Sequence, residues 1–220
     1  MPRYRHVSLL LICFIAVADA ITVWSLIEDK AGVQVFSREE PGQDLKRFKA
    51  QTRVDDPADT ILAALQDTKA CPEWVHNCVS NKMVEMIDVK TRIYHTTVNA
   101  PLWFKHRDFY QQAHVVYEPK ERVFTISFQS RPDYAPESNQ AVRIHDVEMT
   151  WTLKAVGQRE TEVTYEVYID PRLPFKSINH AMIKRSMYKT LQGLAEIVQS
   201  PKYKGTTYTE AELEMLSEVE

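Results

Sequence analysis

Apolar positions along this chain follow two periods, and the switches between them predict its elements. Val33-Gln34-Val35-Phe36-Ser37 alternates at period two, Pro41-Gly42 marks a turn, and Leu45 to Val54 alternates again through Phe48, Ala50 and Thr52, which predicts a hairpin. Before it, Trp24-Ser25-Leu26-Ile27 followed by Glu28, Asp29 and Lys30 predicts a short helix ending near Gly32. Asp55-Asp56-Pro57 predicts a second helix, with Asp56 as N-cap and Pro57 at the first helical position, ahead of the stripe Ile61, Leu62 and Leu65. Strands follow from about residue 79 to residue 169. The longest, Arg122 to Ser130, Val142 to Ala155 and Glu162 to Asp170, each keep one apolar and one polar face, as in a curved antiparallel sheet. Pro171 and Pro174 close the last of them. Residues 175–199 then predict a helix of about seven turns, with Ile178, Met182, Ile183, Met187, Leu191 and Leu194 at helical spacing.

No repeat or low-complexity linker interrupts residues 21–200, so they read as one α+β domain: helix, hairpin, helix, long sheet and a terminal helix lying across it. Residues 201–220 form an acidic tail, read as solvated, with a loose helix around Glu210 to Leu216. Residues 1–20 have the tripartite form of a secretory signal: Arg3, Arg5 and His6, an apolar run from Val7 to Ala18, and Ala18-Asp19-Ala20 before the expected cleavage. The apolar run is shorter than the roughly twenty residues needed to cross a bilayer. The expected location is therefore outside the cytoplasm, periplasmic in a bacterium and secreted otherwise. Export leaves Cys71 and Cys78 where pairing is permitted. Seven residues apart on one straight helix they would stand about 10 Å apart, too far to bridge. Pro72 in the first turn of a short helix leaves Cys71 free to fold back, so a disulfide and two buried thiols both stay open.

Composition mostly excludes. The 220 residues contain five glycines, none within five residues of another, so neither a dinucleotide fingerprint nor a Walker loop is present. A net charge of -3 with no basic block argues against a nucleic-acid partner. The seven histidines form no pair at i, i+4, and no G-x-S-x-G occurs, so no metal, cofactor or hydrolase site is predicted.

Taken in order, Trp24, Gly32-Val33-Gln34-Val35-Phe36-Ser37-Arg38 with Pro41-Gly42, Leu45-Lys46 with Phe48-Lys49-Ala50, and Trp74-Val75 form the first half of a longer pattern. Ala100-Pro101 with Arg107-Asp108-Phe109, Trp151, and Leu173-Pro174 complete it. The chain resembles a START domain, the lipid-transfer module related to the steroidogenic acute regulatory protein, over about residues 24–198. The resemblance implies a helix-grip fold whose hydrophobic tunnel holds one lipid or other hydrophobic small molecule under the terminal helix, without catalysis. It also implies carriage between membranes by a monomer that touches membrane surfaces transiently. Phosphatidylcholine-binding members place an Arg where this chain has Cys71. The acid and Arg of sterol-binding members fall near Tyr94 or His95 and near Ala113 or His114, so neither specificity is copied.

The candidate tunnel residues are Trp103, Arg107, Tyr110, Trp151 and Tyr165 on the sheet side, and Met182 and Met187 on the inner face of the lid helix. Adjacent strand residues point to opposite faces, so at most one of Arg107 and Asp108 faces the tunnel. The ordinary reading of Arg107 is an anchor between elements. Two other functions fit the same scaffold: a cyclase or aromatase working through His114 or His145 with Asp146 or Glu148, and a lipid sensor acting through a protein partner.

Overall fold

Alternation at period two gives each strand one face to bury, and the strands pair so that those faces form a single concave surface. The computed structural model describes residues 23–100 and 103–217; the predicted leader and Pro101 lie outside the described residues. The strands are β1 (Ser25–Lys30), β2 (Val33–Arg38), β3 (Arg47–Val54), β4 (Cys78–Met86) and β5 (Thr91–Val98), then β6 (His106–Glu118), β7 (Val123–Ser130), β8 (Ala141–Arg143), β9 (Val147–Ala155) and β10 (Thr161–Ile169). They form one sheet in the order β1-β2-β3-β10-β9-β7-β6-β5-β4, antiparallel throughout, with β8 added in parallel to β6. The length of β6 explains the extra strand: β7 pairs with Gln111 to Glu118, and β8 takes the same edge from His106 to Asp108.

Among the described residues four α-helices accompany the sheet: α1 (Ala58–Gln66), α2 (Cys71–Trp74), α3 (Lys176–Ile197) and α4 (Glu210–Leu216). Residues Ile183, Met187, Leu191 and Leu194 of α3 are buried in one core with Phe48, Phe124 and Leu153 of the sheet and with Ile61 and Leu62 of α1. A curved antiparallel sheet closed by a long C-terminal helix is the helix-grip architecture that the pattern predicts.

Four local expectations are corrected. The N-terminal helix is instead the edge strand β1, because Ala31 and Gly32, both at positive φ, reverse the chain and set Lys30 opposite Val33. An edge strand with Leu26 and Ile27 exposed has no buried face to impose alternation. The single strand expected from Val142 to Ala155 is broken at Ile144 to Asp146, where the buried Arg143 turns to Asp108 and the Ile144 amide bonds the Asp108 carbonyl at 2.8 Å. Asp56 caps nothing: its carboxylate accepts from the Gln199 side chain, and α1 starts at Ala58 without a side-chain cap. The segment read as a solvated tail is attached. Tyr203 is buried with its hydroxyl 2.8 Å from Asp67, and α4, closed by a Thr209–Glu212 capping box, lies beside β6 with Leu216 buried.

Candidate functional site: an apolar cavity beneath the terminal helix

The alternation that builds the sheet also decides which side chains meet a guest. On β5 the inward residues are Arg92, Tyr94, Thr96 and Val98; on β6 they are Arg107, Phe109, Gln111, Ala113 and Val115. The pairing Tyr94 to Gln111 and Thr96 to Phe109 puts both sets on one face. Facing them are Met182, Ile183, Met187 and Thr190 of α3. Between the two layers lies a cavity of about 200 Å³.

Trp151 and Tyr165 form its floor. Paired across β9 and β10, their rings stack at 4.1 Å and 11°, and Trp74 of α2 meets Trp151 edge-on at 6.2 Å. The Tyr165 hydroxyl meets the Met149 sulfur at 3.2 Å, and burial pushes the phenol well above its usual range. Met182 and Met187 both line the cavity, Met187 fully buried and Met182 half-buried.

Arg107 also reaches the cavity wall, but its guanidinium is occupied. It donates to the carbonyls of Lys105 at 2.6 Å, Pro171 at 2.9 Å and Arg172 at 3.2 Å, and lies over the Phe104 ring. With the residue 4% exposed, burial lowers its pKa. Arg107 thus fastens the β5–β6 loop to the segment entering α3 at one end of the cavity.

Two candidate residues lie elsewhere. Tyr110 has the parity of Asp108 and points to the outer face of the sheet, where it stacks on His95 at 4.4 Å beneath Arg143. Trp103 stands in the β5–β6 loop and is 83% exposed. Asp108 accepts from Arg143 at 3.0 and 3.2 Å and is 3.0 Å from His95. Burial alone would push its carboxyl up, but the bonds from Arg143 and His95 outweigh it and hold the group below its usual range. His114 pairs with Thr91 at 3.0 Å and His145 with Glu137 at 2.9 Å; neither lines the cavity.

The open question of the cysteines closes on a disulfide. Cys71 and Cys78 are bonded with their Cα atoms 6.0 Å apart, tying α2 to the head of β4. Sequence reasoning missed Gln111 and Arg92 on the cavity wall and gave Trp74 no role there. The available signal was Gln111 itself, a polar residue on the same parity as Phe109, Ala113 and Val115. Among the described residues no group of three or more metal-ligating side chains occurs, and no helix is long and apolar enough to cross a membrane.

A grip of sheet and helix around an apolar cavity defines a class of proteins that enclose hydrophobic molecules. The START domain pattern matches residues 17–204, and this chain belongs to the START domain family, whose members bind lipids or other hydrophobic ligands. An uncharacterised protein of Pseudomonas aeruginosa is 27% identical over 173 residues, 78% of this chain and 84% of that protein. A STAR-related lipid transfer protein fragment from Xanthomonas axonopodis superposes with a TM-score of 0.73 at 23% identity, covering 80% of this chain and 99% of the fragment. Human STARD10 gives 0.72 at 20% identity, over 82% of this chain and 75% of its own. At these identities the two structures show the shared fold.

Proposed function

We propose that this protein is an exported monomeric carrier that holds one lipid or comparably hydrophobic molecule beneath α3 and exchanges it with membranes. The observation that carries this reading is the apolar cavity enclosed between the sheet and α3. Its volume, about 200 Å³, is far above what a single water needs, so the cavity has room for a guest molecule. A sixteen-carbon chain left in water is disfavoured by about 12 kcal/mol relative to an apolar site, at about 0.8 kcal/mol per methylene. Against a membrane the same cavity gains little, so loading and release sit near balance.

Trp103 has a place in this account at the surface. The bonds of Arg107 bring its loop beside the segment that leads into α3, where Phe175 and Ile178 are also exposed. Exposed aromatic and aliphatic side chains at that end of the cavity, next to Lys105 and Arg172, suit brief contact with an anionic bilayer surface. Export is supported by the signal-like leader together with a disulfide that an oxidising compartment maintains. The enzyme reading would use His114 or His145, and their position outside the cavity favours the carrier.

Transfer of a fluorescent lipid between donor and acceptor vesicles tests the proposal. The mature protein should accelerate transfer, and Trp103→Ser should slow it while leaving uptake of the lipid unchanged. Uptake without any acceleration would refute carriage and favour the sensor.

A further inference from the structure

The cavity wall contains three side-chain atoms that are buried and have no hydrogen-bond partner: Gln111 Oε1, Arg92 Nε and Trp74 Nε1. The other two such atoms among the described residues, Arg38 Nε and Asn179 Oδ1, belong to residues outside the lining. Two of the cavity atoms are N–H donors and one is a carbonyl acceptor.

The orientation of the Gln111 amide follows from its neighbours. Thr96 spends its one hydroxyl proton on Asn81 Oδ1 at 3.1 Å, so at 3.3 Å from Gln111 it accepts from Nε2–H. Oε1 is then left unmet on a residue 4% exposed. Arg92 pairs with Ala113 and Tyr94 with Gln111, which makes Arg92 and Gln111 diagonal neighbours on the inward face of adjoining strands, within reach of one small group. The other charged groups of the lining that an acceptor or donor would seek are already engaged. Lys90 donates to the Ser217 carbonyl, and Asp67 accepts from Lys202 and Tyr203.

Resting on the carrier reading, we propose that this end of the cavity recognises a neutral group that both donates and accepts, a hydroxyl or a primary amide, on an otherwise apolar guest. Its proton goes to Gln111 Oε1, and its oxygen takes an N–H from Arg92 or Trp74. A carboxylate is drawn to the Arg92 guanidinium but leaves the Gln111 oxygen unmet and sets its charge against it. An ester leaves that oxygen unmet. An unmet buried acceptor of this kind weakens binding about tenfold or more.

The test measures dissociation constants of the mature protein for dodecan-1-ol, dodecanamide, methyl dodecanoate and dodecanoate at pH 8, read from the emission of Trp74 and Trp151, which line the cavity. The alcohol and the amide should bind about tenfold more tightly than the ester, and dodecanoate should not exceed them. In Gln111→Met the alcohol should lie within about threefold of the ester, and the ester, freed of the unmet acceptor, should bind more tightly than it does to the wild type, a gain that also reports that the variant is folded. Equal affinities across the four probes, tightest binding of dodecanoate, or an alcohol preference that survives Gln111→Met would overturn this inference and leave the carrier standing. No binding of any probe would overturn both.

Discussion

Gly193→Ala isolates the contact on which the position of α3 depends. A Cβ at Gly193 would lie 2.3 Å from the Trp74 carbonyl oxygen and 3.1 Å from the Trp74 C and Cα atoms. These are backbone atoms of α2, which the Cys71–Cys78 disulfide ties to β4, so no flexible side-chain end can move aside. The Thr190 hydroxyl, 3.2 Å from the His76 amide, holds the same two segments together. Relief requires α3 to lift by roughly 1 Å to reach an ordinary carbon–oxygen contact. That movement loosens Leu191 and Leu194, both fully buried on either side of the contact. A methyl forced to 2.3 Å from a backbone oxygen takes the upper part of the usual overpacking range, about 2–3 kcal/mol, while alanine returns about 1 kcal/mol of helix propensity. The balance is a loss of about 1–2 kcal/mol, or a fall in Tm of roughly 2–8 °C for a domain of this size. Thermal unfolding of the mature protein followed by circular dichroism reads it. An unchanged or raised Tm would mean that propensity decides and that α3 does not press on α2 as described.

Replacing both Cys71 and Cys78 with serine opens a short loop and should lower stability by about 2.5 kcal/mol in urea unfolding; a loss below half of that would contradict a structural role for the bond. Arg107→Met removes three bonds to loop carbonyls, so about 2–4 kcal/mol should be lost and guest release should quicken, measured by stopped-flow displacement; unchanged release would detach Arg107 from guest exit. His180 of α3 accepts from the Lys46 amide at 3.3 Å. Burial, with Lys46 and Lys176 adding and Glu39 opposing, holds its imidazole below the ordinary 6.5. The folded protein therefore binds fewer protons there than the unfolded chain, and this contribution, full above pH 6.5, is lost progressively as the pH falls below that value and through the lower pKa of the folded state. Guest release should accelerate below pH 6.5 in the wild type and lose that dependence in His180→Gln, which keeps an acceptor but does not titrate; an identical pH profile in the variant would dismiss His180.

Segments with one buried face were legible in the sequence. The strands β2, β3, β7 and β10 and the helix α3 fall close to where alternation and the 3.6 period put them, because each has a face against the core and another near solvent. The strand β1 was not legible, since an exposed edge strand is shaped by pairing and by the Ala31-Gly32 turn and carries no burial pattern of its own. The break between β8 and β9 depends on Arg143 reaching Asp108, a contact 35 residues apart that no local period encodes. At the site, alternation showed that Arg107 and Asp108 face opposite ways but not which parity faces inward. The pairing of β6 with β5 beneath α3 settles that and sends Tyr110 outward. Trp103 follows no strand parity because it sits in a loop, where an aromatic residue reads the same whether it lines a cavity or meets solvent.

Native mass spectrometry of the mature protein, after incubation with vesicles containing hexadecan-1-ol, puts the hollow interior to the most direct trial. One noncovalent guest per chain should be retained, and Ala113→Phe, which places a ring in the cavity wall opposite Arg92, should retain none while still unfolding cooperatively. A bare polypeptide mass for the wild type, or equal retention by the filled variant, would contradict the account.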